Sequence, residues 1–199
     1  WSSDVCSSDL NKEKEPSFDQ LFKLYNYINS EEKAEFISET ITKVLSSKSK
    51  KASFLTGIIV HRVINSKQDL TYKELICVNA LSDMYDFDID NIIIVSDYLA
   101  YITEERKGRN NGWFALYRDF KKWCKEKGIY TDNSVNLTME KCVSSQILVK
   151  EIEVDLDIQE DNPGNSSASN YESMKFTDAG ILLLSNLKYL SDVGGMYFA

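Results

Sequence analysis

Apolar residues recur at helical intervals over most of the first half of this sequence. From Ser17 onward they return every three or four positions, as on one side of a helix, and Gln20 follows Ser17 at the spacing of a capping box. A second capping-box spacing joins Thr71 and Glu74. The periodic segments cover about 17–28, 31–45, 50–65, 71–85 and 90–106. The pattern therefore predicts a bundle of five helices over residues 17–107.

The spacing changes after residue 107. The segment WFALYRDFKKWCKEKG (113–128) has an aromatic side and a basic side, which predicts one amphipathic helix that ends at Gly128. A shorter helix is predicted over about 137–146. In LVKEIEVDLDIQ (148–159) apolar and acidic residues alternate, with Lys150 on the apolar side, which predicts a half-buried strand with one acidic face.

The remaining segments complete a hairpin. EDNPGNSSASN (160–170) predicts a loop, SMKFT (173–177) predicts a short partner strand, and the apolar spacing that follows predicts a last helix. Two helices before a hairpin are typical of a winged helix. The predicted fold is therefore mainly α, with an N-terminal helical bundle followed over 108–199 by a winged-helix-like α+β unit that contains a two-stranded antiparallel hairpin.

The first ten residues, WSSDVCSSDL, show no helical or strand spacing. They match the translation of a common sequencing adapter, so we expect them to be foreign to the native protein and the native N-terminus to be missing. Residues 1–16 are accordingly predicted to be a lead-in without regular structure.

Composition narrows the class of protein. Apolar residues make up 43% of the chain and charged residues 27%, as in a folded protein, and no stretch reaches the roughly 20 apolar residues of a membrane span. Beyond the first ten residues three cysteines remain, without a C-x-x-C pair: Cys77, Cys124 and Cys142. We expect these to be buried and inert in a cytoplasmic protein, with no membrane association and no cofactor.

Charge is distributed unevenly. The formal net charge is −8, yet residues 109–128 hold 6 basic and 2 acidic side chains, whereas residues 129–199 hold 4 and 11. Such a basic segment favours contact with an anionic partner, either nucleic acid or an acidic protein surface. The candidate binding residues are Arg109, Arg118, Lys121, Lys122 and Lys125. Alternatively they form only a solvated helix face, or they pair with the acidic strand within the chain or between subunits.

The segment DFDIDNIIIVSD (86–97) has the spacing of a calcium loop. Asp86, Asp88, Asp90 and Asp97 occupy the positions of the first three ligands and the last one. Against this, Asn91 replaces the glycine of the sharp turn. The alternative is a turn between helices, followed by a helix that Asp90 caps.

No catalytic motif is recognisable. The chain has one histidine, His61, which is expected in the core or at its boundary, and it has no phosphate-binding loop or nucleophile motif. The sequence therefore predicts a protein that is not an enzyme.

Two resemblances bear on function. LYRDFKKWCKEKGI (116–129) resembles the helix that opens the winged-helix tail of phage and plasmid replication helicase-primases, which supports the winged-helix prediction. The order of KASFLTGIIVHRVINS, ELICVNALSDMYDFDIDNIII and FTDAGILLL resembles that of bacterial abortive-infection alpha-type proteins over most of 30–190. This resemblance implies a non-enzymatic accessory protein of a mobile element or a defence system, without catalytic residues.

We therefore expect an interaction protein that binds a protein partner or a second copy of itself. One alternative is a winged-helix regulator that binds nucleic acid through its basic helix. Another is a calcium-responsive helical module.

Overall fold

The structure, a computed structural model, describes residues 16–66, 70–107, 112–116, 118–131, 133–157 and 167–194. These residues form a mainly helical fold with one two-stranded antiparallel hairpin, as predicted. The elements are α1 (Phe18–Tyr27), α2 (Glu31–Ser46), α3 (Lys50–Ser66), α4 (Tyr72–Ser82), α5 (Asp86–Glu105), α6 (Arg118–Glu126), α7 (Ser134–Ser144), β1 (Leu148–Asp157), β2 (Ser167–Phe176) and α8 (Asp178–Gly194). Residues 1–15 of the predicted lead-in, Arg109 and residues 160–166 of the predicted loop lie outside the described residues.

Polar side chains set the starts of the first helices. Ser17 Oγ accepts a hydrogen bond from Gln20 N at 3.3 Å, and Ser17 N donates to Gln20 Oε1 at 2.8 Å, so the predicted capping box is confirmed. Thr71 N donates to the carboxylate of Glu74 at 3.1 Å in the same way. Helix ends leave backbone N–H groups without partners, and these side chains satisfy some of them.

Helix α5 begins four residues before its predicted start near Asp90. Asp88 Oδ2 accepts a hydrogen bond from Tyr85 N at 2.9 Å, which closes a first turn from Asp86 onward. The sequence pattern was misleading here because the acidic residues of DFDID interrupt the apolar spacing without interrupting the helix.

The predicted helix over 113–128 is correct only from Arg118. Phe114 instead lies extended beside β2, where its N–H donates to Met174 O at 2.9 Å and its carbonyl accepts from Met174 N at 2.8 Å. Its ring is buried against Phe176, with the ring centroids 5.7 Å apart. Gly112 lies two residues before Phe114 at φ +81°, a conformation that favours glycine. Gly128 lies just past the end of α6 and also has a positive φ, as predicted for a glycine that follows a helix.

The order of these elements is winged-helix-like, as predicted. Helix α5 is followed by the short extended piece at Phe114, then by α6, α7 and the hairpin. Strand β2 pairs with β1 on one side and with Phe114 on the other. At the base of the hairpin, the residue pair Phe114–Met174 therefore adds a third, very short extended segment beside β2.

The hairpin is longer than predicted and less buried. Strand β2 begins at Ser167, inside the segment predicted as a loop, and ten residue pairs join it to β1 from Leu148–Phe176 to Asp157–Ser167. Leu148 is buried, but Ile152 and Val154 are 56% and 58% exposed. The prediction of a half-buried strand is therefore correct only at the base of the hairpin, because no element of the described residues covers its outer part.

One hydrophobic core crosses the predicted boundary at residue 107. Helix α8 packs against α3, α4 and α5. Buried residues from both sides of the boundary, such as Leu55, Leu81, Met139 and Leu183, belong to one cluster. Gly180 allows the close crossing of α8 over the hairpin base, since a Cβ there would collide with the carbonyl oxygen of Ile147.

Candidate functional site

A buried polar contact, which we call the α5–α7 seam, joins the two helices through Asp88, Asn91, Thr138 and Lys141. Asp88 is 1% exposed, and its carboxylate accepts hydrogen bonds from Thr138 Oγ1 at 2.7 Å and from Lys141 Nζ at 2.5 Å. Asn91 Nδ2 donates to Thr138 Oγ1 at 3.0 Å. Buried polar groups require partners of this kind, so the seam fixes α7 against α5.

The seam keeps Asp88 ionised. Burial raises the pKa of Asp88, but hydrogen bonds from Lys141, from Tyr85 N–H and from Thr138, together with the charge of Lys141, outweigh that effect and hold the pKa below its ordinary value of 3.8. Lys141 also lies over the Tyr85 ring, with its ammonium 5.1 Å from the centroid. Lys141 is therefore committed to contacts inside the chain.

The segment predicted as a calcium loop is part of helix α5. Asp86 accepts hydrogen bonds from Ser49 Oγ at 2.5 Å and from Lys51 N at 3.1 Å, at the start of α3. Asp90 forms an ion pair with the Lys51 side chain, Asp88 lies in the seam, and Asp97 is exposed further along the helix. The four carboxylates do not converge, and no group of three or more His, Cys, Asp or Glu in the described part of the chain is placed to hold a metal ion.

Helix α6 has the two sides that the sequence predicted. Phe120 and Trp123 are buried against Tyr98, with ring centroids 5.1 and 5.4 Å from the tyrosine ring. The cations lie on the exposed side: Arg118, Lys121, Lys122 and Lys125. Lys122 is 3.9 Å from Glu126, whereas no ion pair to another described residue involves the other three. We call these four residues the α6 basic face.

Lys150, at the base of the hairpin, forms ion pairs within the chain. Lys150 Nζ is 2.8 Å from Glu140 on α7 and 3.1 Å from Glu172 on β2. Hydrogen bonds to Glu140 and then to Glu172 raise the pKa of Lys150. This ion pair fastens β1 to α7, and it leaves Lys150 without capacity for an external anion.

Apart from this ion pair, exposed side chains lie on both faces of the hairpin, and we call residues 149, 151–154 and 169–171 the hairpin arm. Because side chains alternate along a strand, Glu151 and Glu153 share one face, which also carries exposed Val149 and Tyr171. Ile152 and Val154 lie on the other face. The arm therefore presents carboxylates among apolar side chains on one side and aliphatic side chains on the other.

The three cysteines of the described residues, Cys77, Cys124 and Cys142, are buried free thiols, and the prediction of their burial is confirmed. Burial raises the pKa of Cys77 and of Cys142 to about 12, and it also raises the pKa of Cys124. A thiol with a raised pKa stays protonated, so it is a poor nucleophile and a poor metal ligand.

His61 is exposed on α3, which corrects the expectation of a core or boundary position. It lies beside a shallow cleft of about 360 Å³ between α1 and α3, whose walls include Leu21, Leu24, Val60 and Ile64. Gly57 also lines this cleft, and a Cβ at that position would meet no atom within 4 Å.

Sequence reasoning missed the seam because its partners are far apart in the chain. Asp88 and Lys141 are 53 positions apart, and no periodic pattern connects them. The only local signal is an aspartate between the apolar Phe87 and Ile89 inside a helix, and the same aspartate also fits the spacing of a calcium loop.

The chain matches no protein-family model, no curated protein and no solved structure. Within the described residues, no helix combines the length and the apolar character needed to cross a membrane.

Proposed function

We propose that this chain is a non-catalytic interaction protein and that the hairpin arm is the element that docks on a protein partner. The observation that carries this proposal is the exposure of both faces of the arm. An isolated two-stranded hairpin is at best marginally stable in water, because stable sheets pack a face against another element. A partner that covers the arm supplies that packing.

The charges around the arm favour a protein over nucleic acid. In a helix-turn-helix unit, the second helix is the one that enters the major groove. Here that helix is α7, whose Lys141 is bound to Asp88, and the adjacent Lys150 is bound to Glu140 and Glu172. The exposed carboxylates of Glu151 and Glu153 repel phosphate.

For the cellular setting, we propose the bacterial cytoplasm, with the protein as an accessory component of a defence or mobile-element system. The resemblance in the order of the helices and the C-terminal FTDAGILLL segment supports this setting.

In-cell photo-crosslinking tests the docking surface. A photo-reactive amino acid is placed at position 152 or 171, one on each face of the arm, and at position 45 as a control. Leu45 is 83% exposed and apolar, but it lies on α2. We expect a discrete crosslinked protein band from at least one arm position and none from position 45. The absence of any discrete band from both arm positions would contradict the proposal.

A second candidate function is supported by the α6 basic face. Four exposed cations on a helix of nine residues favour an anionic partner, and nucleic acid is one such partner. Titration of labelled duplex DNA at low and raised salt tests it. Nucleic-acid binding requires an affinity that falls with salt and is lost in the Lys121→Glu, Lys122→Glu double variant.

A further inference from the structure

We propose that the partner of the hairpin arm is a second copy of this chain, whose α6 basic face binds the acidic face of the arm. This inference rests on the proposed function and names the partner. The contact joins the α6 basic face of one copy to the acidic face of the arm of another. Every molecule carries both surfaces, so no other protein is needed to form it.

The α6 basic face contains like charges that lie side by side on the helix surface. Its cations are spaced three and four residues apart, so Arg118 and Lys122, and likewise Lys121 and Lys125, are neighbours of like charge on the helix surface. Arg118 also lies at the N-terminus of α6, where the helix dipole disfavours a cation. An anionic surface placed against this face removes both penalties.

The acidic face of the arm has matching dimensions. Glu151 and Glu153 are two positions apart on a strand and therefore about 7 Å apart. Lys121 and Lys125 are one helical turn apart and therefore about 6 Å apart along the axis. Two rows of opposite charge at similar spacing can pair side by side.

The same face of the arm offers apolar contacts. Val149 and Tyr171 are 45% and 52% exposed beside the two glutamates, and Tyr171 lies opposite Glu153 in the hairpin. The aliphatic stems of lysine and arginine cover apolar surface, and an arginine or lysine head group binds favourably over a tyrosine ring. The proposed contact therefore combines ion pairs with apolar and cation–ring contacts, whereas surface ion pairs alone contribute little to binding free energy.

Pairing between copies is favoured over pairing within one chain. No ion pair in the described part of the chain connects α6 to β1, although Arg118, Lys121, Lys125, Glu151 and Glu153 are all exposed. A two-fold dimer brings each basic face onto the other copy's arm, so that both surfaces are used twice and the assembly closes.

Charge reversal tests the contact directly. The first variant is Lys121→Glu with Lys125→Glu, the second is Glu151→Lys with Glu153→Lys, and the third combines all four. Light scattering and sedimentation equilibrium measure the dimer Kd, and thermal unfolding confirms that each variant is folded. We expect the wild type to dimerise, each double reversal to raise Kd about ten- to hundredfold, and the combined variant to recover wild-type Kd within a few-fold.

The second variant separates local pairing from net charge. The wild-type charge of −8 makes the copies repel at long range, and reversal of the two glutamates makes the net charge less negative. Net charge alone would therefore make this variant associate more tightly, whereas local pairing makes it associate more weakly. The control variant Lys50→Glu with Arg62→Glu reverses two exposed cations on α3 and is expected to leave Kd unchanged, apart from the small effect of net charge.

The outcomes are distinct from those of the proposed function. A wild type that stays monomeric up to about 1 mM, or a combined variant that does not recover, overturns this inference. If the arm then crosslinks to a different protein in cells, the proposed function stands without self-association. If the arm crosslinks to nothing, both proposals fail.

Discussion

The α5–α7 seam and the hairpin arm are both rich in charge, but they use it in opposite ways. In the seam, Asp88 is buried and every strong contact of its carboxylate is with a donor of the same chain. In the arm, Glu151 and Glu153 are exposed and take part in no ion pair with another described residue. The comparison separates charges that hold the fold from charges that remain available to a partner.

The substitution Asp88→Ala breaks the seam and is expected to have the largest effect. It leaves the Lys141 ammonium, the Thr138 hydroxyl and the Tyr85 N–H without their acceptor. Because the Lys141 side chain is 32% exposed and can turn towards water, we expect a loss of about 2–3 kcal/mol in the free energy of unfolding. Urea denaturation measures this loss.

Asp90→Ala is the matched control, because Asp90 lies on the same helix but its ion pair with Lys51 is half exposed. It is expected to cost less than about 1 kcal/mol. An Asp88→Ala protein as stable as the Asp90→Ala protein would show that the seam does not hold the fold.

The stability of the seam depends on pH in a defined direction. The pKa of Asp88 is lowered in the folded state, so its contribution to stability is present above the ordinary value of 3.8 and is lost as the pH falls through the lower folded value. The difference in unfolding free energy between wild type and Asp88→Asn is therefore largest near neutral pH and shrinks in acid. Urea denaturation at about pH 7 and at about pH 3 measures it. A constant difference would mean that the charge of Asp88 is not what stabilises the seam.

Changes in the arm are expected to affect stability much less. Ile152 and Val154 are more than half exposed, so the double variant Ile152→Thr, Val154→Thr, which keeps β-branched side chains, is expected to change the free energy of unfolding by no more than about 0.5 kcal/mol. Leu148 lies on the same face of the same strand but is 2% exposed. Leu148→Thr should therefore cost about 2–5 kcal/mol, measured by the same urea titration. Equal losses in the two proteins would mean that the arm is packed against the chain.

Local signals in the sequence predicted most of the elements. Side-chain caps such as Ser17 and a regular apolar spacing act over a few residues, so the helices of the first half were recoverable from them. The hairpin was also recoverable, because alternation along a strand is a local pattern. Its burial was not, since alternation shows that two faces differ but not which of them another element covers.

Long-range contacts caused the errors. Phe114 continues the helical spacing of the residues after it, yet pairing with Met174, which is 60 positions away, holds it in an extended conformation. Asp88 fits a calcium-ligand position by spacing, but Lys141 and Thr138 occupy its carboxylate. The exposed cations of α6 were identified from charge alone, because a solvated basic surface needs no distant residue to define it.

Calcium is expected to have the smallest effect on stability. Its addition tests whether the carboxylates of α5 hold the fold and do not bind a metal ion. Along a helix Asp86 and Asp97 are about 16 Å apart, whereas the ligands of one calcium ion lie 2.3–2.6 Å from it, so about 1 mM Ca²⁺ should leave the melting temperature unchanged. Magnesium at the same concentration is the control for ionic strength. A rise in melting temperature with calcium and not with magnesium would require α5 to unwind at its start, with release of Asp86 from Ser49 and of Asp88 from Lys141. Calcium would then have to bind tightly enough to offset the loss of the contacts that begin the helix. Such tight binding to the folded protein would raise the melting temperature.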